Sequence, residues 1–281
     1  MAAMPVIRSP GAAAPARQTR RRTRPALFNL PEIAALLHEP RFIAALVIAV
    51  VAGLVRGFSG FGSALIYMPL ISALYSPRIA APTLLLIDTI CSLPFTLHAA
   101  PQCNRREVAW VSLAGFTFLP LGALALIYVD AIWLRWLIVV LVLAALATLM
   151  FGWRYYGKPT VAAALFTGAF SGFGGGAVQI AAPPLLIFWL GSANKAATVR
   201  ANIMVYFVPQ AALSMILYYW NGLFGGETIT FAVLLGLPFA IAMAAGVFWF
   251  HGSSEMLYRR VAYVIIAFAG IVSMPIFDSL R

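Results

Sequence analysis

Charged residues are scarce in this chain of 281 residues, and their scarcity excludes an ordinary soluble domain. Only 10% of the residues are charged, whereas 63% are hydrophobic. A soluble domain carries roughly a quarter charged residues, because its surface must face water. The apolar residues also come in long blocks, which are typical of membrane-spanning segments. The composition therefore predicts an all-α protein that crosses a membrane several times.

Cysteine is almost absent as well. Cys91 lies in an apolar run and Cys103 in a short polar loop, a pattern that indicates neither a disulfide framework nor a metal site. His98 and His251 lie near the ends of apolar segments and have no partner at metal-ligand spacing. The sequence also lacks a nucleophile–base–acid arrangement and a phosphate-binding loop. We therefore expect a protein that is not an enzyme and uses no metal and no cofactor.

Acidic residues are rarer than basic ones, and the positive charge collects at the N-terminus. The chain has 19 Lys and Arg residues but only 8 Asp and Glu residues. An arginine-rich tail could bind nucleic acid. Ahead of a membrane helix, a simpler role is to hold the N-terminus on the cytoplasmic side and contact anionic lipid headgroups. We interpret residues 1–40 as a cytoplasmic tail, mostly disordered, with a short interfacial helix at 31–39, and expect no nucleic-acid partner.

A series of apolar segments follows the tail, and most of them reach the length of about 20 residues that a full span needs. The segments 62–75, 160–171 and 175–190 are short, and they adjoin glycine-rich stretches. Each glycine-rich region therefore predicts either one full helix with a re-entrant piece or two tilted helices. We expect eight full crossings, within a range of seven to ten.

Two matching glycine-rich motifs indicate an internal duplication. The pentapeptide Phe-Ser-Gly-Phe-Gly occurs at residues 58–62 and again at 170–174. Further landmarks, including proline–leucine pairs and arginines, follow both copies in the same order. We therefore predict two homologous repeats of about four transmembrane helices, residues 41–152 and 153–281, each beginning with a glycine-broken helix or re-entrant segment. Whether the repeats are parallel or inverted stays open.

A helix that breaks inside the bilayer exposes backbone groups, so breaks survive where these groups face protein, water or a ligand. A helix that restarts after a break points N–H groups and a partial positive charge at the gap, which suits a small anion. Small residues at four-residue spacing, as at Gly168, Gly172 and Gly176, also allow close helix packing, so this alternative stays open. The candidate anion-binding residues of the motifs are Ser59, Gly60, Gly62, Ser171, Gly172, Gly174, Gly175 and Gly176.

Several polar side chains lie near the motifs. Arg56 and Arg200 could balance the charge of a bound anion, or they could be interfacial anchors. Gln179 and Asn202 could contact the substrate or bond across helices. Asp88 is the only acidic residue within a clear span, where a charge costs about 3 kcal/mol on an insertion scale. Asp88 is a candidate for coupling transport to H+ or Na+, and the alternative is a carboxylate that is neutralised by one arginine or is simply protonated.

The two glycine-rich regions, with the prolines that follow them, resemble the signature regions of the TauE/SafE family of membrane permeases, the sulfite-exporter or toluenesulfonate-uptake family. The resemblance covers about residues 42–277. It implies a bacterial-type inner-membrane carrier of small, often sulfur-containing, anions. The family often has a Gly-Thr-Ser-like sequence where residues 196–200 here read Ala-Ala-Thr-Val-Arg. This departure affects the expected substrate more than the expected fold.

The leading prediction is a secondary transporter (permease) for a small sulfur-containing or organic anion. A passive anion channel and a membrane-embedded assembly protein are the alternatives. The expected partners are the anionic substrate, a coupling H+ or Na+ and membrane lipids. The sequence leaves the substrate, the direction of transport, the coupling ion and the oligomeric state open.

Overall fold

The computed structural model describes residues 36–152, 160–191, 195–249 and 255–276, and all regular structure within these ranges is helical. A short 3₁₀ turn, Ala100–Gln102, joins the third helix to the fourth. The helices are α1 (Pro40–Ser59), α2 (Ser63–Leu74), α3 (Pro77–Ala99), α4 (Arg105–Tyr128), α5 (Ala131–Phe151), α6 (Val161–Val178), α7 (Ala182–Gly191), α8 (Ala196–Trp220), α9 (Gly226–Trp249) and α10 (Glu255–Val272).

Seven helices in the described part of the chain, α1, α3, α4, α5, α6, α8 and α9, are long and apolar enough to cross a membrane. The protein is therefore an integral, multi-pass membrane protein. Seven candidate spans among the described residues fall within the expected range of seven to ten crossings. The short helices α2 and α7, with 12 and 10 residues, fall short of the roughly 20 that a span needs. Residues 31–35 of the predicted interfacial helix at 31–39 lie outside the described residues. Of the remaining four, 36 and 37 are helical.

Local sequence signals explain several helix ends. Asn104 precedes α4 and accepts a hydrogen bond from the backbone N–H of Glu107, whose carboxylate accepts one from the Asn104 amide. This reciprocal pair satisfies a donor that the first turn leaves free. Thr160 caps α6 in the same way through the N–H of Ala163. Pro40 and Pro77 begin α1 and α3, where a missing N–H costs nothing.

The two short helices form the centre of the molecule. Leu65, Ile66 and Tyr67 follow one another in α2 and are all almost fully buried, so this helix faces protein on every side. Leu185 and Trp189 are equally buried in α7. A helix that is hydrophobic all round belongs in a protein interior. The longer helices therefore surround α2 and α7 and separate them from lipid.

Two helix pairs make the most extensive contacts, α4 with α6 and α1 with α9. Both crossings depend on glycine. A Cβ atom on Gly172 would lie 2.2 Å from the carbonyl oxygen of Gly115, and one on Gly57 would lie 2.0 Å from that of Met243. The four-residue spacing of Gly168, Gly172 and Gly176 therefore serves close packing against α4, which is the alternative that the sequence left open.

The two Phe-Ser-Gly-Phe-Gly motifs occupy different places in the fold. Residues 58–62 end α1 and form the gap before α2, where Gly60 and Gly62 have φ angles of 78° and 104°. Residues 170–174 lie inside α6, which continues to Val178 and breaks only at Gln179, whose φ is 56°. The predicted break at 170–174 and the separate segments 160–171 and 175–190 are therefore wrong, because these residues belong to one continuous helix in which Gly172 packs against α4.

Candidate functional site

A cavity of about 250 Å³ lies between the two helix breaks. Gly62 and Ser63 line it from the first break, and Gln179 and Ile180 from the second. Both short helices, α2 and α7, therefore begin at the cavity, and the partial positive charges of their N-termini act on the same space. The volume is below the roughly 300–1,000 Å³ of pockets for drug-sized ligands, so the cavity suits a small ion or metabolite.

An ion pair forms the polar part of the cavity wall. Arg56 on α1 donates from Nη2 to Oδ2 of Asp88 on α3 over 2.8 Å, and from Nε to the Ser92 hydroxyl over 3.1 Å. The Ser63 hydroxyl donates to the other carboxylate oxygen, also over 3.1 Å. Asp88 thus forms an ion pair with Arg56, and both of its carboxylate oxygens accept hydrogen bonds.

Arg56 also explains how the first break survives within the protein. Its Nη1 donates a hydrogen bond to the carbonyl oxygen of Gly60, the residue that ends α1. That carbonyl has no partner within the helix once the chain turns at Gly60. The guanidinium therefore satisfies a backbone group freed by the break and holds a carboxylate at the same time, and it is only 3% exposed.

A second guanidinium lies against the same glycine. A Cβ atom on Gly60 would lie 2.6 Å from Nε of Arg200, so the absence of a side chain at residue 60 leaves room for this arginine. Arg200 is partly buried and makes no hydrogen bond or ion pair with any residue in the described ranges. On the same helix, α8, Met204 and Phe207 line the cavity, and the Phe207 ring lies 5.6 Å from the Arg56 guanidinium carbon. Two guanidiniums and one carboxylate thus leave an excess of positive charge here.

The second break is held by neutral hydrogen bonds. The Gln179 side chain donates from Nε2 to the Tyr218 hydroxyl over 3.1 Å, and that hydroxyl donates to the carbonyl oxygen of Gly176 over 2.7 Å. The backbone N–H of Ile180 donates to the carbonyl of Gly174. Carbonyls in the last turns of α6, those of Gly174 and Gly176, therefore find donors, as a buried helix end requires.

Two substitutions at Gln179 should separate its backbone role from its side-chain role. Glycine adopts the left-handed conformation without strain, but Gln179→Gly loses the hydrogen bond to Tyr218. The two effects oppose each other, so the free energy of unfolding should change by less than about 1 kcal/mol. Gln179→Val loses the same bond and forces a β-branched residue to φ 56°, so it should destabilise by about 2 kcal/mol. Thermal unfolding in detergent measures the stability of both variants. Equal unfolding midpoints would show that the left-handed conformation at residue 179 adds no cost for valine.

The sequence matches the family model described as sulfite exporter TauE/SafE over residues 45–273, which include both breaks and the whole cavity wall. The chain belongs to this family. The resemblance noted from the glycine motifs is thereby confirmed, and membership implies a membrane transporter of sulfur-containing anions. No curated protein and no solved structure matches the chain.

Part of the predicted site of this TauE/SafE protein meets at the cavity. Arg56, Gly62, Gly175, Gln179 and the coupling candidate Asp88 all line it, although they come from three different helices and both breaks. Gly60 and Arg200 lie next to this wall: the Gly60 carbonyl accepts from Arg56, and Arg200 lies against Gly60.

The remaining candidates lie outside the cavity lining. Ser59 donates its hydroxyl to the carbonyl of Val55 and closes the last turn of α1. Ser171 is fully buried in α6, and the Asn202 side chain accepts a bond from the N–H of Asn104 over 2.7 Å, which ties α8 to the start of α4. Gly172 and Gly176 pack against the backbone of α4, and Gly174 packs against the carbonyl of Ile180.

Ser63, Ser92, Phe207 and Gln210 also belong to the cavity wall of this TauE/SafE protein, although sequence reasoning did not select them. A usable signal existed for Ser92, which lies one helical turn after Asp88 and therefore on the same face of α3. The neutral Gln210 carried no such signal, and its side-chain amide is buried without a partner among the described residues.

Proposed function

We propose that this protein is a secondary transporter that carries a small sulfur-containing anion, of the sulfite or organosulfonate class, across a bacterial-type inner membrane. The observation that carries the proposal is Arg200, a partly buried guanidinium without a carboxylate partner in the described ranges, set against Gly60 at the break beside the cavity. A charge at membrane depth is costly unless an opposite charge or water faces it. A bound anion supplies that opposite charge.

The cavity offers further groups that suit an anion rather than a cation. The N-termini of α2 and α7 both face it, and free backbone N–H groups at helix starts bind oxyanions. The Gln179 side-chain amide has a second N–H beyond the one donated to Tyr218, and it adds a neutral donor along the same wall. Asp88 is the one carboxylate there, and Arg56 already balances it.

We also propose that the chain consists of two homologous repeats, α1–α5 and α6–α10, with boundaries near the predicted 41–152 and 153–281. The helix packing supports this, because the contacts are reciprocal: α1 packs on α9 as α6 packs on α4, and α3 packs on α9 as α8 packs on α4. The helix ends supply a second argument. Ser59 and Val178 end the first helices, Ser63 and Ala182 begin the second ones, and the same interval separates each pair.

This equivalence makes Gly60 the counterpart of Gln179, and not of a residue in the second pentapeptide. Each repeat then has one broken helix whose second part starts at the shared cavity. In secondary transporters, sites at such a repeat interface open to alternate sides when one repeat moves against the other. We assign the basic tail to the cytoplasmic side, in contact with anionic lipid.

Uptake into proteoliposomes tests the function. The panel is radiolabelled sulfite, methanesulfonate, sulfoacetate, taurine and acetate, each measured with and without unlabelled anion inside. A carrier should saturate and should be stimulated by internal anion, because each return step then carries cargo. A passive channel would show flux without stimulation. No flux with any anion, together with no thermal stabilisation by them, would favour an assembly protein and contradict the proposal.

Arg200→Gln should weaken anion binding strongly while Lys195→Gln leaves it unchanged. A hydrogen bond to a charged group contributes about 1.5–3 kcal/mol, so the KM for the best-transported anion should rise roughly 10- to 100-fold in Arg200→Gln. Lys195 immediately precedes the same helix but is exposed, so it provides a matched loss of one positive charge. Equal KM values for the two variants would exclude Arg200 from the site.

A further inference from the structure

Resting on the proposed anion site, we infer that the transported anion competes with Asp88 for Arg56, so that each anion crosses together with one proton bound to Asp88. The coupling ion is then H+, and the competition itself is the coupling device. The argument depends on how Arg56 is held, on what surrounds Asp88 and on the charge of the site.

Arg56 has few free donors for an anion. Three of its bonds go to Asp88, to the Ser92 hydroxyl and to the carbonyl of Gly60, and the last of these stabilises the end of α1. Asp88 is the partner that opens to the cavity, since its side chain is 23% exposed whereas that of Arg56 is 3% exposed. An anion that reaches Arg56 from the cavity therefore meets Asp88 first and takes its place on Nη2.

A displaced Asp88 carboxylate has little else to bind. Among the described residues, the charged and titratable groups near it are Arg56 on α1, Cys91 on its own helix and, next to Arg56, Arg200 on α8. Within the same ranges, its one further hydrogen bond comes from the Ser63 hydroxyl on α2. A partly buried carboxylate that loses its cation is destabilised in its charged form and gains a proton instead. That proton comes from water on the side to which the cavity is open. After the anion leaves, Asp88 pairs with Arg56 again and releases the proton there.

The charges of the site balance under this exchange. Arg56, Arg200 and ionised Asp88 leave one net positive charge in the empty site. A monovalent anion and one proton enter together, so the loaded site keeps the same net charge. The electrostatic cost of changing sides is therefore the same for the empty site and for the loaded site. The site can consequently return across the membrane in either state.

Proteoliposomes with a proton gradient, acidic outside, test the inference. Methanesulfonate serves as the probe, because it keeps a single fixed charge across neutral pH and cannot itself carry the proton. The wild-type protein should accumulate methanesulfonate about tenfold per pH unit, since one pH unit is worth about 1.4 kcal/mol per proton. Asp88→Asn should lose this accumulation but keep exchange of internal for external anion. Asp130→Asn, the same change at an exposed residue before α5, should behave as wild type.

Infrared difference spectra provide a second readout that does not depend on a stable Asp88 variant. Perfusing methanesulfonate over the wild-type protein should produce the carbonyl stretching band of a protonated carboxyl group, and Asp88→Glu should shift that band. Four results would each overturn the inference and leave the proposed function intact. They are anion exchange without accumulation driven by the proton gradient, accumulation driven by Na+ instead, accumulation that persists in Asp88→Asn, and the absence of a carboxyl band. Absence of all anion flux, sulfite included, would overturn both.

Discussion

Replacing Arg56 by methionine should abolish anion flux and lower the free energy of unfolding by about 3–5 kcal/mol, the usual cost of removing one partner from a buried ion pair. Three groups lose their donor at once: the Asp88 carboxylate, the Ser92 hydroxyl and the Gly60 carbonyl that ends α1. Methionine fills a similar volume, so the effect reports the lost charge and hydrogen bonds rather than a cavity. Thermal unfolding in detergent measures the loss of stability, and anion exchange in liposomes measures the loss of flux.

A second substitution distinguishes this explanation from a general loss of packing. In the Arg56→Met background, Asp88→Leu removes the unpaired carboxylate, and replacing both members of a buried pair by apolar residues is often nearly neutral. The double variant should therefore recover most of the lost stability and still transport nothing. Arg105→Met, at an exposed residue that begins α4, should cost less than about 0.5 kcal/mol. A double variant as unstable as Arg56→Met would show that Asp88 is not the source of the penalty.

Composition and local motifs were sufficient for the membrane class, the helical fold and the family, because these depend on features that recur along the chain. The position of the second break was not predictable in the same way. The pentapeptide at 170–174 matches that at 58–62 residue for residue, yet it lies inside α6, where Gly172 packs on α4, and the chain turns only at Gln179. Glycine both allows close packing and allows positive φ, and only the neighbouring helix decides which of these it does.

The candidate site could likewise be predicted from the sequence only in part. Asp88 and Arg56 stood out in the sequence because a charge at membrane depth must be satisfied. Their pairing joins residues 32 positions apart, and the choice between Arg56 and Arg200 as the partner depends on how α1, α3 and α8 meet. The sequence therefore identified the charged groups of the site, while tertiary packing determined which cation remained without a carboxylate.

Gly176→Ala should prevent correct folding, whereas Gly175→Ala should fold as well as the wild type. The two glycines are neighbours in α6 and differ in the face that they present. A Cβ atom on Gly176 would lie 2.2 Å from the carbonyl oxygen of Leu119 and 2.9 Å from the backbone nitrogen of Ala123. Neither backbone atom of α4 can move without separating the two helices. We expect a cost of about 3 kcal/mol or more, at the upper end for overpacked sites.

Gly175 presents the opposite case, because its Cβ atom would meet only the methyl group of Ala181, at 3.4 Å. Alanine is also the better helix former by about 1 kcal/mol, so Gly175→Ala should keep or slightly raise the unfolding temperature. Its new methyl group would lie in the cavity wall, where it narrows the space for an anion. Size-exclusion profiles and thermal unfolding of the two variants, followed by uptake with Gly175→Ala, measure these effects. Equal stability of the two variants would contradict the close contact of α4 with the Gly176 face of α6. It would also contradict our explanation of why the second break lies at Gln179.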